Sequence, residues 1–129
     1  MKIGGFIGKM QTITIAELRE LINKKEQYIL IDVREKSELQ HGMIPTAKNI
    51  PLGEVEEALE LEEPVFQKKY GFVKPKKSDN LIFHCRTGGR SAAATQIAAK
   101  LGFTARNYAG SIWEWADTDK NVKRYGPAP

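Results

Sequence analysis

No disulfide can close within this chain, because its 129 residues include a single cysteine, Cys85. Nothing therefore demands an oxidising compartment, and a free thiol is best kept where it stays reduced. Two histidines beside that cysteine are too few for an ordinary zinc site, so neither a metal nor a cofactor is expected. No run approaches the roughly 18 apolar residues of a membrane span, so no membrane partner is expected. The opening "MKIGGFIGKM" has neither a sustained apolar stretch nor a small-residue cleavage site, and no secretion signal is read there. Arginine, which a mitochondrial presequence would want, is absent before Arg19. The expected location is cytoplasmic, with the mitochondrion kept as a second option. Repeats and low-complexity tracts are also missing.

What is present is an uneven charge. Residues 1–63 carry 8 basic and 12 acidic side chains, and residues 64–129 carry 12 basic and 4 acidic. A basic half draws anionic partners through its summed field. The lysines of "KKYGFVKPKK" (68–77) read as a solvated surface. No stacking platform or recognition helix accompanies them, which argues against nucleic acid.

Along the chain, strand-like and helix-like stretches alternate. "TIT" (12–14) is short and β-prone. "TIAE" is a capping box with Thr14 at the N-cap and Glu17 three residues on, and Ile13 and Leu18 sit where a hydrophobic staple would. Ile15, Leu18, Leu21 and Ile22 recur at helical spacing. "YILIDV" (28–33) is a nearly continuous apolar run, as in a strand buried on both faces. "ELQHG" reads as the end of a short helix, with Gly42 suited to a left-handed cap. "AKNI" (47–50) reads as a strand, "GEVEEALEL" as a helix, and "PVFQKKYG" as another with Pro64 in its first turn. "NLIFHC" (80–85) reads as a strand, "SAAATQIAAKLG" as a helix closed by Gly102, and "ARNYA" (105–109) as a strand. "SIWE" (111–114) offers a second capping box. Residues 119–129 look like a loose tail. These readings give an α/β fold with a central parallel five-stranded sheet and helices on both faces. One domain spans 11–118, between an unassigned segment 1–10 and the tail.

In such sheets ligands bind beyond the carboxyl ends of the strands. Cys85 sits there, at the head of "CRTGGRS" (85–91), with Asp32 and Arg34 at the end of a neighbouring run. Gly88 and Gly89 permit positive φ and close backbone approach. A tight loop of this kind turns N–H groups inward as an anion nest, and the helix that begins near Ser91 adds its positive end. Arg86 and Arg90 add formal charge. All three sources favour the thiolate, which is the nucleophile. A lone cysteine is often just a small buried hydrophobe, but this setting has few structural excuses. His84 should face away from the thiol, because adjacent strand residues point to opposite faces. His41, in "HGMIP", could reach the site.

This loop resembles the active-site loop of the rhodanese (thiosulfate sulfurtransferase) family. So do "LIDVRE" (30–35), "HGMIPTAKNIP" (41–51) and "NYAGSIWEW" (107–115), in the family's order, and "VFQKKYGFVKPKKSDNLIF" is similar to its small single-domain cytosolic members. The likeness covers residues 11–118. It implies that the Cys85 thiolate takes the outer sulfur of thiosulfate, releases sulfite, and becomes a persulfide. A small thiol such as glutathione, cyanide, or thioredoxin or another protein thiol would then remove the sulfur. It further implies that the amides from Arg86 through Thr87, Gly88 and Gly89 to Arg90 stabilise the persulfide. Arg86 and Arg90 would hold the anionic donor, and Ser91 would cap the helix and help close the loop. Asp32 and Arg34 would support the site from behind, and as an ion pair they could be purely structural.

Two other function classes compete. Cysteine-dependent phosphatases and arsenate reductases use a related loop with arginine six positions after cysteine. Here Arg90 is five positions after Cys85, a smaller cup suited to one sulfur atom. A non-catalytic regulatory module of the same fold is the third class, against which the retained cysteine stands.

Overall fold

The computed structural model of the chain describes residues 10–129, so the segment before Met10, where no secretion signal was read, lies outside the described residues. Helix α1 (Ile15–Lys24) starts as its sequence dictates. The Thr14 side chain accepts from the Glu17 amide at 3.1 Å, and the Thr14 amide donates to Glu17 Oε1 at 2.9 Å. Both ends of the staple are buried, and complete burial of a side chain such as Leu18 contributes roughly 1.5–3 kcal/mol.

Strand β1 (Ile29–Asp32) is followed by a 3-10 helix (Lys36–His41), strand β2 (Lys48–Asn49), and helices α2 (Leu52–Glu60) and α3 (Glu63–Tyr70). Strand β3 (Leu81–His84) leads into helix α4 (Gly89–Lys100), then strand β4 (Ala105–Asn107) and the short helix α5 (Ser111–Trp115). The sheet is parallel throughout, in the order β2-β1-β3-β4.

It has four strands and not the expected five. The "TIT" stretch makes only one bridge, Thr12 to Asn107, with two hydrogen bonds, Asn107 N–H to Gln11 O and Ile13 N–H to Asn107 O. Thr14 is already the cap of α1, so the chain turns before a second pair can form.

Alternation along the strands sorts the core into two layers. Ile31, Leu81, Phe83 and Cys85 pack with α2, α3 and α4 through Val55, Phe66, Ala94 and Ala98. Leu30 and Ile82 face the other way and pack with α1 and α5 through Leu18, Ile112 and Trp115. Covering both faces leaves the carboxyl edge of the sheet as the place where β1 and β3 deliver side chains to a shared rim.

Three local expectations change. Gly42 has φ +103 and ψ 155, so it is not a left-handed cap. A Cβ there would lie 2.3 Å from the Asn121 carbonyl oxygen, and glycine is needed for that close approach. "SIWE" forms no capping box. Gly110 is the N-cap, and Glu114 accepts instead from the Tyr108 hydroxyl at 2.8 Å. Residues 119–129 are not loose. Val122 is buried, the Lys123 amide donates to His41 O at 2.8 Å, and the Arg124 guanidinium donates to Trp113 O at 2.7 Å.

Candidate active site

Cys85 is the first residue after β3, and its thiol is almost wholly covered. Its backbone is fixed on both sides. The Cys85 amide donates to Ser111 Oγ at 3.1 Å, and the Ser111 hydroxyl donates to Tyr108 O at 2.8 Å. The Cys85 and Arg86 carbonyls accept from the Ile112 and Trp113 amides at 3.1 and 2.9 Å. The start of α5 therefore holds the first two residues of the loop in place.

The loop then turns back on the sulfur. Gly88 has φ +101, and a Cβ there would lie 2.5 Å from the Ala109 carbonyl oxygen, so this position needs glycine twice over. Gly89 is different: it has no such φ and no close neighbour, and it is the first residue of α4. Helix α4 thus begins two residues earlier than expected, with Gly88 as its N-cap. Ser91 does not cap it. From inside the first turn its hydroxyl faces Cys85 Sγ at 3.4 Å and Gly88 O at 3.2 Å, two acceptors for one proton.

The Gly88 amide donates to Cys85 Sγ at 3.0 Å. Burial pushes the thiol's pKa up, but the Ser91 hydroxyl and the amides of Ser91, Gly88 and Thr87 outweigh it, and the net shift is downward. These donors are fixed by the helix start and cost no reorganisation when negative charge arrives.

The arginines take unexpected partners. Arg90 binds Glu38 through two hydrogen bonds of 2.7 and 2.9 Å. Arg86 turns outward, donating from Nε to Tyr125 O at 2.7 Å and from Nη2 to Pro127 O. Neither guanidinium hydrogen-bonds the sulfur. Asp32 and Arg34 are wholly buried and joined at 2.7 Å. Arg34 also donates to Gly42 O at 2.8 Å, Glu38 O at 3.3 Å and the Tyr125 hydroxyl at 3.2 Å. Tyr125 in turn donates to Glu38 Oε1 at 2.9 Å. A continuous chain of polar contacts therefore runs from Asp32 through Arg34, Tyr125 and Glu38 to Arg90.

His84 turns away from the thiol. Its Nδ1 lies 3.1 Å from Cys85 O, its Nε2 is 3.6 Å from Asp32 Oδ2, and burial lowers its pKa, which favours the neutral ring. His41 stacks on Tyr125 with ring centroids 4.1 Å apart. Glu38, Ser111 and Tyr125 escaped the sequence reading. In "SIWE" Ser111 reads as a cap, and nothing in the composition of 119–129 marks Tyr125. Among the described residues no group of three His, Cys, Asp or Glu side chains could hold a metal ion.

The arrangement can stabilise a thiolate, and any anion formed on it, within the loop that turns back on the sulfur. Comparison with known proteins points the same way. The rhodanese-like domain family matches residues 14–118. The human thiosulfate:glutathione sulfurtransferase is 44% identical over 110 residues, covering 84% of this chain and 95% of that protein. A Saccharomyces cerevisiae protein named as a mitochondrial thiosulfate sulfurtransferase is 36% identical over 104 residues, covering 79% of this chain and 70% of that one. Among solved structures, a human single-domain sulfurtransferase superposes with a TM-score of 0.81 at 43% identity, covering 86% of this chain and 99% of that one.

Proposed function

The chain belongs to the rhodanese-like family, and from that premise we propose that it is a thiosulfate sulfurtransferase working through a persulfide on Cys85. The observation that carries this reading is the sulfur itself, placed at the mouth of α4 with the Gly88 amide at 3.0 Å and the Ser91 hydroxyl at 3.4 Å.

The thiolate attacks the outer sulfur of thiosulfate. A new S–S bond forms, the bond to the sulfonate sulfur breaks, and its electron pair leaves with sulfite. Cys85 then carries a persulfide anion, whose terminal sulfur meets the amides of Thr87, Gly88, Gly89 and Arg90. An acceptor thiolate attacks that sulfur and returns Cys85 to its thiolate. This is double displacement through a covalent intermediate, with the nucleophile activated by a lowered pKa and not by an adjacent base. His84 takes no part, since it faces the Asp32–Arg34 pair.

Arg90 acts through its field. Its charged form is favoured first by Glu38 and also by the Cys85 thiolate, so the reciprocal effect favours the thiolate. Asp32 and Arg34 act at a further remove by holding Glu38 and the Gly42 turn. Residues 11–118 form the domain that carries this chemistry. Glutathione is the acceptor that suits a small covered site, with cyanide and thioredoxin as the acceptors to compare against it. A reducing compartment, the cytosol before the mitochondrion, suits a thiol that must stay free.

The test is intact-protein mass spectrometry after exposure to thiosulfate. Cys85 gains about one sulfur atom with release of one sulfite, as a stable covalent intermediate requires, and a thiol acceptor removes it. No adduct at any pH would leave a fold without this activity.

A further inference from the structure

Residues 119–129 lie beyond the family match and run across the mouth of the site. They are anchored along their length. Val122 is buried with α5, the Lys123 amide binds His41 O, and Arg124 pairs with Asp117 at 2.7 Å. The Tyr125 ring stacks on His41, and its hydroxyl joins Arg34 to Glu38. The segment then closes over Arg86, the residue next to the nucleophile. The carbonyls of Tyr125 and Pro127 accept from that guanidinium, whose Cζ lies 5.2 Å from the Trp113 ring centroid and 5.5 Å from the Tyr125 ring centroid. Gly126 has φ +74, and a Cβ there would sit 2.9 Å from Arg86 Nη2, so the chain presses against the guanidinium.

We propose that residues 125–127 are a specificity-determining part of the substrate mouth, which sets how much of the Arg86 charge an incoming substrate meets. With the segment in place, two of the guanidinium's donors point at carbonyl oxygens. A doubly charged donor meets a guanidinium whose Nε and Nη2 already face those oxygens and competes with them for its charge, whereas a neutral persulfide or thiol has nothing to gain by doing so. Tyr125 holds the segment down, and Gly126 lets it approach. The segment therefore damps the advantage that Arg86 gives a doubly charged anion such as thiosulfate over less charged sulfur carriers.

The proposal rests on Cys85 being the reactive thiol but not on what sulfur it carries, and alkylation separates the two. Rates of Cys85 modification by iodoacetate, an anion, and by iodoacetamide, which is neutral, are compared by mass spectrometry in the full chain. Their ratio cancels any change in the fraction of thiolate. Tyr125→Ala raises the iodoacetate-to-iodoacetamide ratio about fivefold, the effect of one partly exposed charge. The rise disappears in 1 M salt, and it disappears when Arg86→Gln is added. Gly126→Ala, which keeps the Tyr125 anchor, shifts the ratio in the same direction and decides the matter alone if Tyr125→Ala does not fold. An unchanged ratio, or equal acceleration of both reagents, overturns the proposal even if sulfur transfer is established.

Discussion

Arg90, in the first turn of α4, and Glu38, in the 3-10 helix, are joined by two hydrogen bonds across 52 positions of chain. The pair ties the start of α4 to the segment that follows β1. It also halves the job expected of Arg90, because a guanidinium held by a carboxylate is not free to grip a substrate anion. Its positive field remains, and its direction is fixed.

Arg90 beside it holds Glu38 down to a pKa of about 2, against an ordinary 4.5. A carboxylate with a depressed folded-state pKa stabilises the fold above its unfolded value and loses that contribution as the pH falls. The window is therefore about pH 4.5 down to about 2. Both partners are partly exposed, so the contribution is screened to about 1–3 kcal/mol. Glu38→Gln should lower stability by this amount at neutral pH and flatten that part of the acid limb. Urea denaturation midpoints measured at pH 7, 4 and 3 check it, and a variant whose acid limb parallels the wild type would show that the pair contributes little.

The thiol gives a second pH signature. Burial favours the neutral form, and the Ser91 hydroxyl with the Ser91, Gly88 and Thr87 amides favours the anion more strongly. Iodoacetamide modification of Cys85 should thus titrate at lower pH than that of the same thiol in the unfolded chain. Ser91→Ala keeps the helix but removes one donor, so its midpoint should move upward while transfer at neutral pH declines. A midpoint unchanged by Ser91→Ala would take that hydroxyl out of the account.

Much of this was legible in the residues, and the reasons differ by element. "TIAE" dictates its own cap, because both partners lie within one turn, and α1 begins directly after Thr14. The apolar runs of β1 and β3 mark the parallel sheet, and the strand–Cys–Gly–Gly junction marks where Cys85 sits, just beyond the end of β3. What stayed hidden is what depends on distant partners. Whether "TIT" completes a strand is decided by Asn107 and by the cap of α1, not by β-propensity. Ser111 looks like a cap, yet the fold recruits it for the Cys85 amide from 26 positions away. Tyr125 reaches Glu38 across 87 positions, which no local pattern could announce.

Asp32 and Arg34 are both fully buried and paired at 2.7 Å. Removing one partner leaves an uncompensated ion in the interior, which costs about 3–5 kcal/mol. Arg34→Leu also strips the Gly42 and Glu38 carbonyls of a donor and loosens Tyr125. Thermal denaturation of Arg34→Leu should show that loss. The double variant Asp32→Leu with Arg34→Leu should recover part of it, and a double variant as unstable as the sum of the singles would show that the two charges are not coupled.

Cys85→Ser exchanges sulfur for oxygen at a position whose backbone is held by Ser111, Ile112 and His84. None of those bonds uses the thiol, so the fold should persist with a melting temperature close to that of the wild type. Sulfur transfer should vanish, because no other cysteine exists to take the sulfane atom. Residual sulfite release by this variant would remove Cys85 from the role of nucleophile.

Gly88 is the residue on which the cup depends most narrowly. Its φ of +101 is strained for any L side chain, and a methyl group would meet the Ala109 carbonyl oxygen at 2.5 Å, a backbone atom that cannot step aside cheaply. Gly88→Ala must move its own amide or displace the β4–α5 turn. Either movement withdraws the donor now 3.0 Å from Cys85 Sγ and shifts the carbonyl that accepts from Asn107 Nδ2 at 3.3 Å. The expected result is a loss of about 2–3 kcal/mol of stability together with an upward shift of the Cys85 titration midpoint. Gly89→Ala serves as the control, because that residue has ordinary φ and open space for a methyl group at the first position of α4. Equal effects of the two substitutions would show that the loop tolerates a side chain where its geometry says it cannot.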